Sequence, residues 1–577
     1  VEALLQVEGI SKTYKLKDSK VAALKDISFS AGDGEILGIV GKSGGGKSTL
    51  LKILRGVESF DSGRITMNGL VITPDSDPDA KRQQMAMTAI HLQRDFALWT
   101  ESALKNVVRR VYSRTAGYEV LPVPELNNYD QMFEEAMYYL KLVGLEKKAN
   151  HLATILSGGE KQRLLIARQL AKKPKILLLD EPATMACPAT KQEVLDAVRN
   201  VNKELGLTIL LVSHLPEVHE YLAERLIWLE KGEIVDEGSP VVILQKFLSG
   251  LGEAGPLAPR HGARPLIKVS GLCKRNYLVG TGEILKIEDM NFELKEGEIT
   301  SLVGSSGAGK TTLLKIMEGL RMPDEGAVYY GLDGKWVDIV TYTPQRMQIR
   351  QRLGIMYQEF ALLPGEMIVE QIAYQLGVKG HDVVEHARSV AKELGISDKV
   401  LDVIYTLTDM PEEDAKAVLE TLGLTRAVFD DLFPRFPTTV ARKFAEPVFE
   451  LLSLDQAVLW KLPDQLSGGE KVRASLAILL AAQPKIMILD EPFGDIDPIT
   501  LREVSNALKK INAQLGTTIL LVSHHVDFVR EVSHRAMLME NGAIVADGDP
   551  GQVCQTFINR CGAAYLRGAA ERCTIKG

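Results

Sequence analysis

Cysteine is scarce in this sequence, and long apolar runs are missing. The 577 residues hold five cysteines, Cys187, Cys273, Cys554, Cys561 and Cys573, too few and too scattered for a disulfide framework, so a reducing, cytoplasmic setting is expected. The last three are separated by six and eleven residues, unlike compact zinc or iron–sulfur ligand spacings. The most apolar stretches, KILLLD at 175–180 and TILLVSH at 208–214, stop far short of the ~20 residues that cross a bilayer. The opening residues, VEALLQVEGISKTY, carry neither a basic leader nor an apolar signal core, so no secretion address is expected.

An excess of one charge is also lacking. Lys and Arg number 68 against 75 Asp and Glu, a formal charge of −7, which gives no overall electrostatic reason to bind nucleic acid or an anionic membrane. With 45% hydrophobic and 25% charged residues the chain has ordinary globular composition, which excludes disorder and collagen-like structure. Its length allows several domains, each with a substantial core.

What is present is a repeat. EILGIVGKSGGGKSTLLKI at 35–53 returns as EITSLVGSSGAGKTTLLKI at 298–316, LSGGEKQR at 156–163 as LSGGEKVR at 466–473, and LTILLVSH at 207–214 as TTILLVSH at 517–524. The spacing repeats too. Tyr14 to Lys47 and Tyr277 to Lys310 both span 33 residues, Ser157 to Asp180 and Ser467 to Asp490 both 23, and Asp180 to His214 and Asp490 to His524 both 34. Two copies of one fold follow, residues 1–248 and 266–577. They are joined by a Gly/Pro-rich linker, 249–265, that cannot continue a helix. One interval differs: Gln93 to Ser157 is 64 residues and Gln358 to Ser467 is 109, an insertion of 45 in the second copy.

Each copy carries a phosphate-binding loop. In the first it runs Gly41-Lys42-Ser43-Gly44-Gly45-Gly46-Lys47-Ser48, followed by Thr49. In the second it runs Gly304-Ser305-Ser306-Gly307-Ala308-Gly309-Lys310-Thr311, followed by Thr312. The glycines let backbone N–H groups wrap phosphates, the lysine reaches the β- and γ-phosphates, and the Ser48 or Thr311 hydroxyl takes a Mg²⁺ position. An apolar strand precedes each loop and a helix follows it, with its N-terminus toward the anion. Further on, ILLLDE at 176–181 and IMILDE at 486–491 read as buried parallel strands that deliver acids at their C-terminal edge. Asp180 and Asp490 suit the Mg²⁺ shell, and Glu181 and Glu491 a general-base or water-orienting role.

The order of phosphate loop, Gln, LSGGE, DE and His, present twice, resembles the ATP-binding-cassette (ABC) ATPases over nearly the whole chain. The resemblance implies an α/β fold of two tandem P-loop NTPase domains, each with a helical subdomain, the second enlarged over about 375–455. It implies ATP and Mg²⁺ as ligands and an intramolecular cassette dimer. In that dimer the loop of Lys47 and Glu181 faces Ser467, Gly468 and Gly469, and the loop of Lys310 and Glu491 faces Ser157, Gly158 and Gly159. By the same resemblance Gln93 and Gln358 contact Mg²⁺ and water, His214 and His524 sit at the γ-phosphate, and Tyr14 and Tyr277 stack on adenine. The Ser-Gly-Gly segments are expected to cap their helices as well. His219, His525 and His534 belong to no motif and are expected at the surface.

One departure stands out. The second copy keeps the family's Asp-Pro turn as Asp497-Pro498, whereas the first reads Ala183-Thr184-Met185-Ala186-Cys187-Pro188. A thiol cannot replace that carboxylate, so the site built on Lys310 and Glu491 is expected to be slower or regulated. Cys187 itself is expected to be a small buried residue.

Helical spacing marks the insertion, in HDVVEHARSVAKELGI at 381–396, PEEDAKAVLETLGL at 411–424 and TTVARKFAEPVFELLSL at 438–454, the last expected to bend or break near Pro447. The apolar faces are expected to close a small bundle of their own. For the partner that ATP drives, three family uses come into view. Separate membrane permease subunits are one. Ribosome-acting twin cassettes are set aside, because the short Gly/Pro linker is unlike their charged helical one and the first cysteine is Cys187. The third is the ATP-binding component of the methyl-coenzyme M reductase activation system of methanogenic archaea. The chain resembles it in its twin cassettes, short linker and enlarged second helical subdomain, and in QEFALLPGEMIVEQIAY at 358–374 and EPATMACPATKQEVLDAV at 181–198. That resemblance implies the reductase and iron–sulfur activation proteins as partners, with no nucleic acid.

Overall fold

The computed structural model describes residues 3–15, 20–91, 98–183, 187–259, 264–278, 282–357, 362–410, 412–493 and 496–566. Its contacts divide the chain into two units. Val1–Leu251, Asp497–Ile499 and Cys561–Gly577 form the first; Gly252–Ile496 and Thr500–Arg560 form the second. The fold is α/β in each, a cassette with a mixed sheet, an antiparallel subdomain and a helical region.

In the first unit the larger sheet runs in the order Glu233–Gly238, Arg225–Glu230, Ile36–Val40, Thr208–Val212, Ile176–Asp180, Thr88–His91. It is parallel except at the Glu233–Gly238 edge. Ile36–Val40, Ile176–Asp180 and Thr208–Val212 are buried at every position. Strands covered on both faces read as unbroken apolar runs, which is why ILLLD and TILLV show no alternation. Parallel strands bring their C-terminal ends to one edge. The segments that follow Val40, Asp180 and Val212 therefore gather there: the phosphate loop, Glu181, and Ser213-His214. A four-stranded antiparallel sheet, Lys20–Ala31, Leu5–Lys15, Ser62–Met67, Leu70–Ile72, lies beside it in the chain's order of contacts.

The second unit repeats this plan. Its larger sheet is Leu353–Met356, Ile486–Asp490, Thr518–Val522, Ile299–Val303, Arg535–Glu540, Ala543–Gly548, antiparallel only at the last pair. Gly282–Lys295, Pro265–Leu278, Glu325–Leu332 and Lys335–Asp338 form the antiparallel sheet.

Two helices, Ala103–Ala116 and Tyr129–Leu142, precede the LSGGE segment in the first unit. The second has Ile368–Lys379, Val383–Glu393, Asp398–Thr406, Glu412–Leu422, Arg426–Leu432 and Thr438–Leu451. Val383, Val384, Ala387, Ala391, Leu401, Ile404, Tyr405, Phe429 and Phe433 close a separate apolar core among them. Leu394, at the end of the helically spaced segment 381–396, is 49% exposed, because helix Val383–Glu393 ends just before it. The expected break at Pro447 does not occur. Helix Thr438–Leu451 runs through it, its Ala441, Ala445, Val448 and Phe449 buried on both sides of the proline.

The linker is bound to the second unit rather than loose. Gly255 N donates to Asn506 Oδ1 at 2.7 Å, Asn506 Nδ2 to the Glu253 carbonyl at 2.9 Å, and Lys509 Nζ to the Gly255 carbonyl at 3.0 Å. His534, expected at the surface, is half-buried in the same region. Its Nδ1 accepts from Ile299 N at 3.0 Å, so Nε2 carries the proton given to the Ala258 carbonyl at 2.8 Å.

Candidate functional site

Gly46 shows why the phosphate loop needs glycine. Its φ is +100°, and a Cβ there would come within 2.5 Å of the Ala23 carbonyl oxygen. Helix Lys47–Arg55 starts at the next residue. Lys47 Nζ donates to the Gly41 and Lys42 carbonyls at 2.7 and 2.9 Å, and Lys310 Nζ to those of Gly304 and Ser305 at 2.9 and 3.0 Å. Both lysines are buried, while Ser43, Gly44 and Ser48, like Ser306, Gly307 and Thr311, are exposed. Thr49 and Thr312, one residue further, are half-buried. Burial lowers the Lys47 pKa, against the opposing pull of Glu181, Asp497 and Asp180. A buried ammonium directed by the loop carbonyls is placed to donate to an anionic phosphate.

The acids arrive as the strands predict. Asp180 is buried and takes a hydrogen bond from Ser48, and Asp490 takes one from Thr311. Each pair joins a carboxylate to a hydroxyl, a set of hard oxygen donors that fits Mg²⁺. Burial raises the pKa of Asp180, and burial together with neighbouring Glu491 raises that of Asp490 to about 6. Glu181 and Glu491 have φ of +52° and +49°, a backbone state that costs free energy in a non-glycine residue and that turns each carboxylate out of the strand line.

Here the two sites diverge. His214 Nε2 is 3.4 Å from Glu181 Oε1, and His524 Nε2 is 2.7 Å from Glu491 Oε1. Burial pushes Glu181 up to about 8 despite the pull of Lys47, and His214 down to about 4. In the second site burial opposes ionisation of Glu491 as well. It is outweighed by the hydrogen bond and charge of His524, with Lys310 and His525 adding to them, and the Glu491 pKa is lowered. His525 occupies the place of Leu215 in the first copy. The expectation that it is a bystander at the surface is therefore corrected: it is half-buried and its charge acts on Glu491.

Ser157 and Ser467 open helices Gly158–Leu170 and Gly468–Ala481 with a capping box. Ser157 Oγ accepts from Glu160 N at 3.3 Å, and Glu160 Oε2 from Ser157 N at 2.9 Å; Ser467 and Glu470 repeat both distances. Gly159 has no room for a side chain, since a Cβ would lie 1.9 Å from Thr190 Cγ2. Cys187 is 3% exposed and caps helix Pro188–Leu205.

The structure thus gathers Lys47, Ser48, Asp180, Glu181 and His214 in one unit and Lys310, Thr311, Asp490, Glu491 and His524 in the other. Tyr14 lies on Leu5–Lys15, its hydroxyl donating to Glu58 at 3.2 Å, and Tyr277 is 66% exposed. Gln93, Gln358 and Thr184–Ala186 lie outside the described residues.

Two residues were not read from the sequence. Ser213 Oγ donates to Glu181 Oε2 at 3.3 Å, and the repeated VSH triplet was the available signal. His219, expected at the surface, is fully buried. Its Nε2 meets the Ser213 carbonyl at 2.9 Å, and Gly38 makes the space, since a Cβ there would lie 2.6 Å from His219 Nδ1. Among the described residues no helix is long and apolar enough to cross a membrane, and no cluster of three or more His, Cys, Asp or Glu is arranged to hold a metal.

The chain is similar to known proteins. The ABC transporter family profile matches residues 24–184 and 287–494. An uncharacterized ABC transporter ATP-binding protein of Methanocaldococcus jannaschii is 44% identical over 98% of this chain and 98% of its own length. A second such protein from that organism is 33% identical over 95% and 96%. Among solved structures, an archaeal ribosome recycling factor in complex with a ribosomal stalk protein aligns with TM-score 0.55 and 20% identity, over 96% of this chain and 92% of that one. That likeness bears on the fold alone.

Proposed function

We propose, on the premise that this chain belongs to the ABC transporter family and is a tandem ABC-type ATPase, that ATP binding draws its two cassettes together, that hydrolysis resets them, and that the cycle does conformational work on a partner protein. The observation that carries the chemistry is the contact of Glu491 with His524 at 2.7 Å, on a backbone turned to φ +49°. A carboxylate so held stays ionised at neutral pH and is suited to orient an attacking water by accepting its hydrogen bond.

Lys47 and Lys310 bind the phosphates. Ser48 with Asp180, and Thr311 with Asp490, would hold Mg²⁺, together with Gln93 and Gln358. When bound, the metal supplies positive charge to the phosphate oxygens. Glu181 and Glu491 orient the water, and His214 and His524 fix those carboxylates and reach the γ-phosphate. Gly158, Gly159, Gly468 and Gly469 present helix N-termini to the γ-phosphate bound by the other cassette, where backbone donors and the helix dipole stabilise developing charge. Tyr14 and Tyr277 stack on adenine.

The partner is engaged through the helical regions, with the insertion of the second cassette as the enlarged docking element. Its identity follows the sequence resemblance: the chain serves reductive activation of methyl-coenzyme M reductase, gating partners that carry the electrons. A pull-down from native extract tests it. Recovery of the nickel reductase with iron–sulfur proteins is expected, and recovery of membrane permease subunits in their place would overturn it.

A further inference from the structure

The helical insertion of the second cassette brings buried charge to the back of its nucleotide site. Glu318 follows helix Lys310–Met317, the helix that begins at the phosphate loop, and is fully buried. Asp409 of the insertion acts on its charge. Asp409, 6% exposed, pairs with Lys379 Nζ at 2.5 Å and lies 3.7 Å from Arg350 Nη1. Arg350, also fully buried, spends its guanidinium on the Glu318 and Gly319 carbonyls, both at 2.9 Å, and leaves the Glu318 carboxyl unpaired by it.

Between Glu318 and Asp409 stands Tyr357. Its Oη is 2.7 Å from the Asp409 carbonyl oxygen and 3.1 Å from Glu318 Oε2. A phenol has one proton, and a carbonyl can only accept. The shorter contact takes the tyrosine's proton, so the contact to Glu318 is complete only if the carboxyl donates. Glu318 Oε1 has no hydrogen-bond partner among the described residues. A buried carboxylate left in that state is costly, whereas a carboxylic acid is not. Burial raises the Glu318 pKa to about 8, with Asp409 and Asp490 pushing the same way and the Tyr357 hydrogen bond and Lys315 opposing. Among the described residues Tyr330, Tyr405, Arg350 and Lys379 also stand around the cluster.

Tyr357 immediately precedes Gln358 in the chain. The first copy has neither part of the arrangement. Arg55 takes the place of Glu318, eight residues after the loop lysine, and Leu92 precedes Gln93. The device occurs only in the copy that has the insertion, and two of its members, Lys379 and Asp409, come from the insertion.

We propose that Glu318, Tyr357 and the Asp409 carbonyl form a positioning linkage, with Glu318 as hydrogen-bond donor, through which the insertion sets the start of the Gln358 segment and so the turnover of the second nucleotide site. Tyr357 and Glu318 are positioning residues; neither touches substrate. The linkage rests on the reading that Gln358 serves that site.

Full-length Tyr357→Phe, Glu318→Gln, Glu318→Ala and Gln358→Ala variants, compared in steady-state ATP hydrolysis across pH 6–9, test it. Tyr357→Phe and Glu318→Ala should lower kcat about fivefold or more with KM for ATP within about twofold. Glu318→Gln, which keeps a donor, should retain most of kcat and lose the alkaline decline that the parent protein shows as Glu318 gives up its proton. A Tyr357→Phe kcat within twofold of the parent overturns the linkage, as does a Glu318→Gln variant as impaired as Glu318→Ala. Gln358→Ala separates the two ideas. Lost turnover there beside an unaffected Tyr357→Phe overturns the linkage alone. Full turnover in Gln358→Ala overturns the role of Gln358, and the linkage with it.

Discussion

The Nε2 atom of His524 stands 2.7 Å from Oε1 of Glu491, and the corresponding pair in the first cassette, His214 and Glu181, is separated by 3.4 Å. The closer pair keeps its carboxylate ionised, and the looser one leaves a buried glutamate pushed up to about 8. A water-activating base must be unprotonated, so at pH 7 the second carboxylate is ready and the first largely is not. The departure at Cys187 argues for a slower second site, and the carboxylates argue for a slower first. Glu491→Gln should therefore cost several times more turnover at pH 7 than Glu181→Gln. Equal losses from the two variants would count against any asymmetry.

The same contrast has a pH signature. Glu181 loses its proton as pH rises through about 8, so hydrolysis that survives in Glu491→Gln should increase between pH 7 and 8.5. In Glu181→Gln the remaining base is ionised well below that range, so hydrolysis should not rise across it and should fall only as Glu318 gives up its proton. Initial rates at saturating Mg²⁺ and ATP decide the matter.

Glu318 predicts a stability effect of definite sign. Its folded pKa, raised to about 8 by burial, lies above the unfolded value of 4.5, so the folded chain holds a proton that the unfolded chain releases between those limits. Its contribution is fully present below about pH 4.5 and is lost as pH rises to about 8, by at most about 1.4 kcal/mol per unit. Glu318→Gln carries no such proton. In denaturant unfolding the parent should lose stability relative to Glu318→Gln from pH 5 to 8; parallel curves would place the proton elsewhere.

Asn506 holds the linker through Gly255 N and the Glu253 carbonyl. Asn506→Ala removes both bonds and should cost about 1–2 kcal/mol. Limited proteolysis should then cut within 250–259 well before the parent chain is cut there. Unchanged cleavage would mean that Lys509 Nζ, which also binds the Gly255 carbonyl, suffices alone.

Much of this arrangement is legible in the sequence because it rests on local rules. ILLLD and TILLV are recognisable as doubly covered strands, and identical spacings place Lys47, Asp180 and His214 in the same relation as Lys310, Asp490 and His524. Ser157 and Glu160 announce their own helix cap. What local rules miss is contact between distant segments. His219, in PEVHEYL, reads as a polar residue of a short helix; it is buried because Gly38, far away in sequence, leaves it room. Arg350, Lys379 and Asp409 are charged residues far apart in sequence, yet both cations meet the one carboxylate inside the protein. The insertion itself declares its helices by periodicity, while its grip on Tyr357 appears only when the fold brings Asp409 to it.

Cassettes that complete one another's nucleotide sites, as proposed, need both LSGGE segments for turnover. ATP hydrolysis by the full-length Ser157→Arg/Ser467→Arg double variant is measured beside the parent chain, with nucleotide binding followed in parallel. Hydrolysis should fall to background while both phosphate loops still bind ATP. Hydrolysis that continues at the parent rate would mean that each cassette works without the other.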